Sequence, residues 1–123
     1  MVALTIIVST EKSEAKILKD MHERLIKNFM DIIIMTQLQK GPLSGYDVIA
    51  YIHTRFNLLV SSGTIYSLLY SLERKSLMEG IWDERKRTYK LTEKGQKTIE
   101  TILTASDKIN GFMTNLLKAQ TTH

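Results

Sequence analysis

Between Ser61 and Arg74 the chain sets short hydroxyl side chains, Ser61, Ser62, Thr64 and Ser67, around Gly63, with Tyr66, Tyr70 and Arg74 following at helical intervals. A basic run, Arg85-Lys86-Arg87, comes soon after. Small hydroxyls can bond phosphate oxygens or base edges, and a helix start favours phosphate through its free N–H groups. Gly63 and Ser67 allow close approach, Tyr70 and Arg74 reach further along a duplex, and the basic run supplies charge for phosphates or the minor groove. This is the chemistry of holding a polyanion, not of breaking bonds. His22, His53 and His123 are scattered without metal-ligand spacing, and there is no P-loop, GxGxxG, GxSxG or partnered acid pair. With no Cys, thiolate metal sites and disulfides are excluded. No catalytic residue, cofactor or metal is therefore expected.

Plainer readings compete at several positions. Tyr66 lies on the flank of its helix, where half-buried packing is the alternative to contact, whereas Tyr70 points further outward. Trp82 reads as hairpin packing, and a charge run such as 83–87 is ordinarily a solvated turn. Lys16, Lys19, Arg24 and Lys27 alternate with Glu14, Asp20 and Glu23 and read as a solvated face. Met21, Met30, Met35 and Met113 read as core or interface packing rather than as a ligand pocket.

The elements that position these residues follow from periodicity and caps. A first helix starts near Ser9 or Thr10, with Glu11 and Glu14 suiting its dipole, and carries a stripe from Leu18 through Met21 and Leu25 to Phe29. The stripe widens into an apolar run, so the reading is an amphipathic leader over 11–27 and a buried helix over about 28–39, continuous or not. Gly41 and Pro42 stop that helix. Ser44 with Asp47 forms a capping-box pattern for a second helix to about Phe56, with Tyr46, Ile49, Ile52 and Phe56 in phase and Asn57 ending it. A third helix begins at Ser61 or Ser62 and turns Ile65, Leu68, Leu69 and Leu72 inward. After Leu77 the period changes, and 78–82 and 88–91 read as two strands around the charged turn 83–87. Thr92 caps a last helix to about Lys118, roughly 37 Å at 1.5 Å per residue. Such a helix outreaches its core. Its stripe, Ile99, Ile102, Ile109, Phe112, Met113 and Leu116, calls for a second copy of the chain to cover it.

The 123 residues, with 43% hydrophobic and 24% charged side chains, allow one compact domain plus an appended element and exclude wholesale disorder. The net charge is +4, and residues 83–90, with four basic and two acidic side chains, hold half of it. No apolar run approaches the length of a membrane span, which implies a soluble, cytoplasmic protein. Residues 2–8 are apolar and β-branched, and read as a short strand or ordered arm, or as a frayed tail.

Helix, helix, helix and basic hairpin is the order of a winged helix-turn-helix, with the third helix in the major groove and the hairpin on an adjacent groove or the backbone. Three stretches carry a family resemblance: 41–49 (GPLSGYDVI), 61–69 (SSGTIYSLL) with Leu72-Glu73, and 86–95 (KRTYKLTEKG). They resemble the PadR family of transcriptional regulators, over about 70% of the chain from Phe29 to Leu117. The resemblance implies a homodimeric winged-helix repressor that dimerises through its C-terminal helix and is released from its operator by a small effector. The family usually has Pro where this chain has Ser67, Gly where it has Ser76, and Gly beside the basic wing residues. Some compact members stack ligands on a Trp of the last helix. Here the only Trp is Trp82, in the wing, so that sandwich does not carry over.

The resulting expectation is a mainly α protein with a small β-hairpin. Residues 1–27 form an arm and leader, 28–92 a winged helix-turn-helix domain, and 93–123 a dimerisation helix. Its partners would be an operator in double-stranded DNA and a second copy of itself, with an effector unidentified. The DNA-contacting residues would be Ser61, Ser62, Gly63, Thr64, Tyr66, Ser67, Tyr70, Arg74, Arg85, Lys86 and Arg87. The rival readings are a winged-helix module that binds protein and an architectural DNA-binding protein with little sequence preference.

Overall fold

The computed structural model describes residues 2–119, with side chains from residue 10 onward. The chain forms helices α1 (Val2–Asn28) and α2 (Met30–Leu38), strand β1 (Leu43–Ser44), and helices α3 (Gly45–Phe56) and α4 (Ser62–Arg74). Strands β2 (Met78–Asp83) and β3 (Lys86–Leu91) and helices α5 (Glu93–Thr104) and α6 (Ser106–Ala119) complete it.

Two helices differ from the sequence expectation. Residues 2–8 are neither strand nor arm: they open α1, a 27-residue helix about 40 Å long. The α1–α2 junction turns at Phe29 (φ −107°, ψ 20°), yet the Phe29 and Ile33 N–H groups still bond Leu25 and Phe29 carbonyls, so the axis bends without a loop. The last helix is likewise two. Ala105 (φ −89°, ψ 14°) parts α5 from α6 while the Ile109 N–H still reaches the Ala105 carbonyl at 3.0 Å. The widening of the apolar stripe marks the first junction, expected between residues 27 and 28 and found at Phe29, whereas apolar spacing runs unbroken across Ala105 and carries no sign of the second.

The core is α2 wrapped by α3, α4, α5 and the sheet. Ile34, Ile52, Ile65, Leu69, Met78 and Ile99 are its largest fully buried side chains. Along α3 the buried positions are Gly45, Val48 and Ile52, whereas Tyr46 is 75% exposed and does not share the core phase. At Gly41 φ is +150°, a backbone position that favours glycine and lets the chain leave α2 towards β1.

The sheet has three antiparallel strands in the order β1-β3-β2. The two-residue β1 is too short to leave an alternating pattern in the sequence. It pairs Leu43 with Tyr89 and Ser44 with Thr88. Ser44 therefore belongs at once to the sheet and to the cap of α3. Its hydroxyl accepts from the Asp47 N–H at 3.1 Å, and its own N–H donates to the Asp47 carboxylate at 2.9 Å. The hairpin register Asp83 to Lys86 leaves only Glu84 and Arg85 in the turn, with Glu84 at φ +57°. Lys86 and Arg87 are thus strand residues, not members of a five-residue tip.

Thr92 joins the sheet to α5. Its hydroxyl donates to the Ser76 carbonyl at 2.6 Å and accepts from the Gly95 N–H at 3.0 Å, while Lys94 Nζ donates to the Lys75 carbonyl at 2.9 Å. Ser76 sits at φ +62°, an unfavourable place for a side chain.

Candidate nucleic-acid interface

Asn57, left-handed at φ 53°, ends α3, and the chain reaches Ser61 through buried Leu58. The Ser61 hydroxyl accepts from the Thr64 N–H at 3.2 Å and lies 2.8 Å from the Thr64 hydroxyl. Both side chains are thereby oriented at the start of α4. Ile65, Leu69 and Leu72 sink one face of α4 into the core, leaving Ser62, Gly63, Ser67, Tyr70 and Arg74 on the outer side. Arg74 stacks on Tyr70, guanidinium to ring centroid 5.2 Å. On one flank Thr64, Ser67, Leu68 and Ser71 face Lys27 and Met30 across an open cleft. On the other flank Tyr66 lies against the backbone of Gly45, where a Cβ would come within 2.5 Å of its ring. Tyr66 is half exposed, so packing and accessibility coexist there.

The wing is tied to the helices by its basic residues. Arg85, in the turn, is exposed and enters no ion pair shown among the described residues. Lys86 Nζ lies 3.8 Å from the Asp47 carboxylate. Hydrogen bonds with the backbone and hydroxyl of Ser44 hold the Asp47 carboxyl below its ordinary range, with Lys86 adding a smaller pull. Arg87 turns inward, and its Nη2 donates to Glu73 Oε2 at 2.8 Å. That bond raises the Arg87 pKa further. Its guanidinium also stacks 5.5 Å from the Trp82 ring and 5.7 Å from the Tyr89 ring. Burial pushes the Tyr89 phenol up.

α4 and the wing therefore converge on the first turn of α3, Tyr66 through Gly45 and Lys86 through Asp47. The arrangement brings Ser61 to Arg74 together with Arg85 and Lys86 and sets Arg87 apart, on the inner face of the wing. Sequence reasoning missed Glu73 and Asp47, the acids that hold two of the three wing bases. A two-residue turn would have shown this, because it puts Arg87 opposite Trp82 and beside Tyr89 on one face of the hairpin.

Of the side chains expected on the dimer seam, Ile99 is corrected: it is fully buried in the chain's own core, because α5 packs on α2. Ile102 and Ile109 are half-buried, and Phe112 and Leu116 are 68% and 60% exposed. None of the residues of α6 is buried. Leu25, Phe29, Ile32, Ile102, Ile109 and Met113 line an apolar groove of about 360 Å³ between the α1–α2 bend and α5–α6.

Residues 34–101 match the model of the transcriptional regulator PadR-like family, more than half of the chain. The chain belongs to the PadR-like family of transcriptional regulators. Its fold is similar to that of a PadR family regulator from Eggerthella lenta, with a TM-score of 0.69 and 19% identity over 86% of this chain and 96% of that one. A PadR family regulator from Clostridium difficile matches at 0.63 and 25% identity, over 72% of this chain and 98% of that one. Bacillus subtilis PadR, solved in complex with operator DNA, matches at 0.53 and 26% identity, over 60% of this chain and 45% of that one. No curated protein matches the sequence. Among the described residues of this PadR-like chain no helix is long and apolar enough to cross a membrane, and no three His, Asp or Glu side chains group as a metal site.

Proposed function

We propose that the chain is a cytoplasmic, sequence-specific transcriptional repressor that binds an operator in double-stranded DNA as a homodimer. The carrying observation is the convergence of α4 and the wing on the first turn of α3, which gives one surface a hydroxyl- and tyrosine-lined helix and a basic hairpin. α4 enters the major groove. Ser61, Ser62, Gly63, Thr64, Tyr66, Ser67, Tyr70 and Arg74 contact base edges and phosphates, and Arg85 and Lys86 contact the backbone or adjacent minor groove. Arg87 braces the wing against α4 through Glu73.

Residues 28–92 are the DNA-binding unit. Residues 93–123, with the 1–27 leader, supply the dimer contact through Ile102, Ile109, Phe112, Met113 and Leu116. The unburied α6 and the apolar groove beside it support this reading. The role is recognition, with no catalytic step.

Anisotropy titration of labelled duplexes at several salt concentrations tests the proposal. Binding with a marked preference for one sequence, by a species that sediments as a dimer, is expected. No binding to any duplex at low salt overturns the DNA reading and leaves a protein-binding module. A steep salt slope without sequence preference points to an architectural role.

A further inference from the structure

Trp82 is the chain's only tryptophan, and it is 65% exposed near the end of a hairpin. Its surroundings are organised. Its register partner is Arg87, whose guanidinium lies 5.5 Å from the indole. Arg87 is itself held by Glu73 at 2.8 Å and stacked on Tyr89. Gly80 makes this possible: a Cβ there would overlap the guanidinium. The indole is thus backed by a fixed cation and presents its remaining surface to solvent. Because Glu73 belongs to α4, this is the face that the wing turns towards α4.

If α4 lies in the major groove and the wing on the adjacent minor groove, one sugar–phosphate strand separates the two grooves. In that arrangement the strand passes over the face of the wing on which Trp82 stands exposed, beside the Arg87–Glu73 pair that ties the wing to α4. Arg87 is neutralised by Glu73 and offers this strand no free charge. A flat apolar ring suits the C–H face of a deoxyribose. We propose that Trp82 packs on a deoxyribose of this strand as the uncharged contact of the wing, with Arg87 and Glu73 as positioning residues. The inference rests on the DNA-binding reading above.

A mixed-sequence duplex, titrated into the full chain at low salt, tests it through two signals: anisotropy of the labelled duplex and emission of the single tryptophan. The indole emission is expected to change in step with the anisotropy. Trp82→Ala is expected to weaken binding about tenfold with an unchanged salt slope, because no counterion is released by an uncharged contact. Should Trp82→Ala fail to fold by circular dichroism, Trp82→Phe serves, with affinity reduced about threefold. Arg87→Ala is expected to weaken binding in the wild-type background and to add little to Trp82→Ala, the non-additivity of a residue that acts through another. Wild-type affinity in the folded Trp82 variant overturns the proposal whatever the emission does, and leaves the DNA reading standing. Equal losses from Arg87→Ala in both backgrounds overturn the positioning role. Absence of duplex binding by the wild-type chain, seen in anisotropy, overturns both readings.

Discussion

The wing carries three adjacent bases, but the structure gives them unequal standing, and salt dependence reads that inequality directly. A protein that neutralises phosphates releases counterions, and each phosphate it neutralises adds about 0.9 to the steepness of log K against log salt. Arg85 is exposed in the turn, and Lys86 is held only by a 3.8 Å partnership with Asp47. Both are free to turn to phosphates. Arg87 is committed to Glu73 at 2.8 Å between two aromatic rings. Replacing Arg85 and Lys86 by Ala therefore frees two phosphates per wing, or four for a dimer on a two-fold operator. The expected fall in slope is about 3.6. Between about 50 and 200 mM salt, the affinity gap between wild type and variant should then narrow by about 150-fold. Arg87→Ala should leave the slope within about half a unit of wild type. Anisotropy of a labelled duplex across a salt series measures all three proteins. A fall of about two units in Arg87→Ala would refute the reasoning, because Arg87 would have left Glu73 for a phosphate. An unchanged slope in the double variant would remove the wing from the interface altogether.

Leu116→Glu, on the exposed seam of α6, should shift sedimentation towards monomer while the thermal transition persists. Ile99→Ala should do the reverse, costing about 2–5 kcal/mol of stability from a fully buried site, seen as a lower midpoint in thermal circular dichroism with dimerisation otherwise intact. Asp47→Ala should cost about 0.5–2 kcal/mol at neutral pH by opening the capping box. The folded Asp47 pKa lies below its usual 3.8, so its contribution is present above that value and is lost as pH falls through the folded pKa. The variant and wild-type denaturation curves should accordingly converge in acid. Ser76→Gly should raise stability by about 0.5–1 kcal/mol by relieving a side chain at φ +62°, or about 2–4 °C in the melting midpoint.

Much of this fold is legible in the sequence because caps and breakers act locally. Ser44 with Asp47, Ser61 before α4, Thr92 before α5 and Asn57 after α3 each mark a boundary through a bond made within a few residues. The α1–α2 junction is legible in the widening of the apolar stripe near residue 28, but the bend at Ala105 is not, because apolar spacing continues across it and no Pro or Gly stands there. Ile99 misleads for a related reason. An apolar stripe shows that a face is covered but not by what, and α2 covers its first turns. At the proposed interface, residue types single out α4 and the basic hairpin. The division of labour among Arg85, Lys86 and Arg87 is hidden, because it depends on a turn of two residues and on acids drawn from other helices. Tyr46 suggests the core phase from its spacing, yet one step along a helix changes its face. Trp82 suggests packing because the ring that a hairpin leaves in solvent looks the same in sequence as one that it buries.

The wing has two moorings that do not depend on the bases it offers to phosphate: Arg87 to Glu73, and the β1–β3 pairing that shares Ser44 with the cap of α3. A hairpin fastened in this way to α4 and to β1 resists swinging by itself. On the mode of binding proposed above, the protein would act as a calliper of nearly fixed jaw, with α4 as one arm and the turn at Arg85 as the other. Any mismatch between that opening and the groove spacing of a duplex would then fall on the nucleic acid, which would have to compress or widen to be gripped by both arms. Sequences that deform cheaply would be held more tightly even at base pairs no side chain touches.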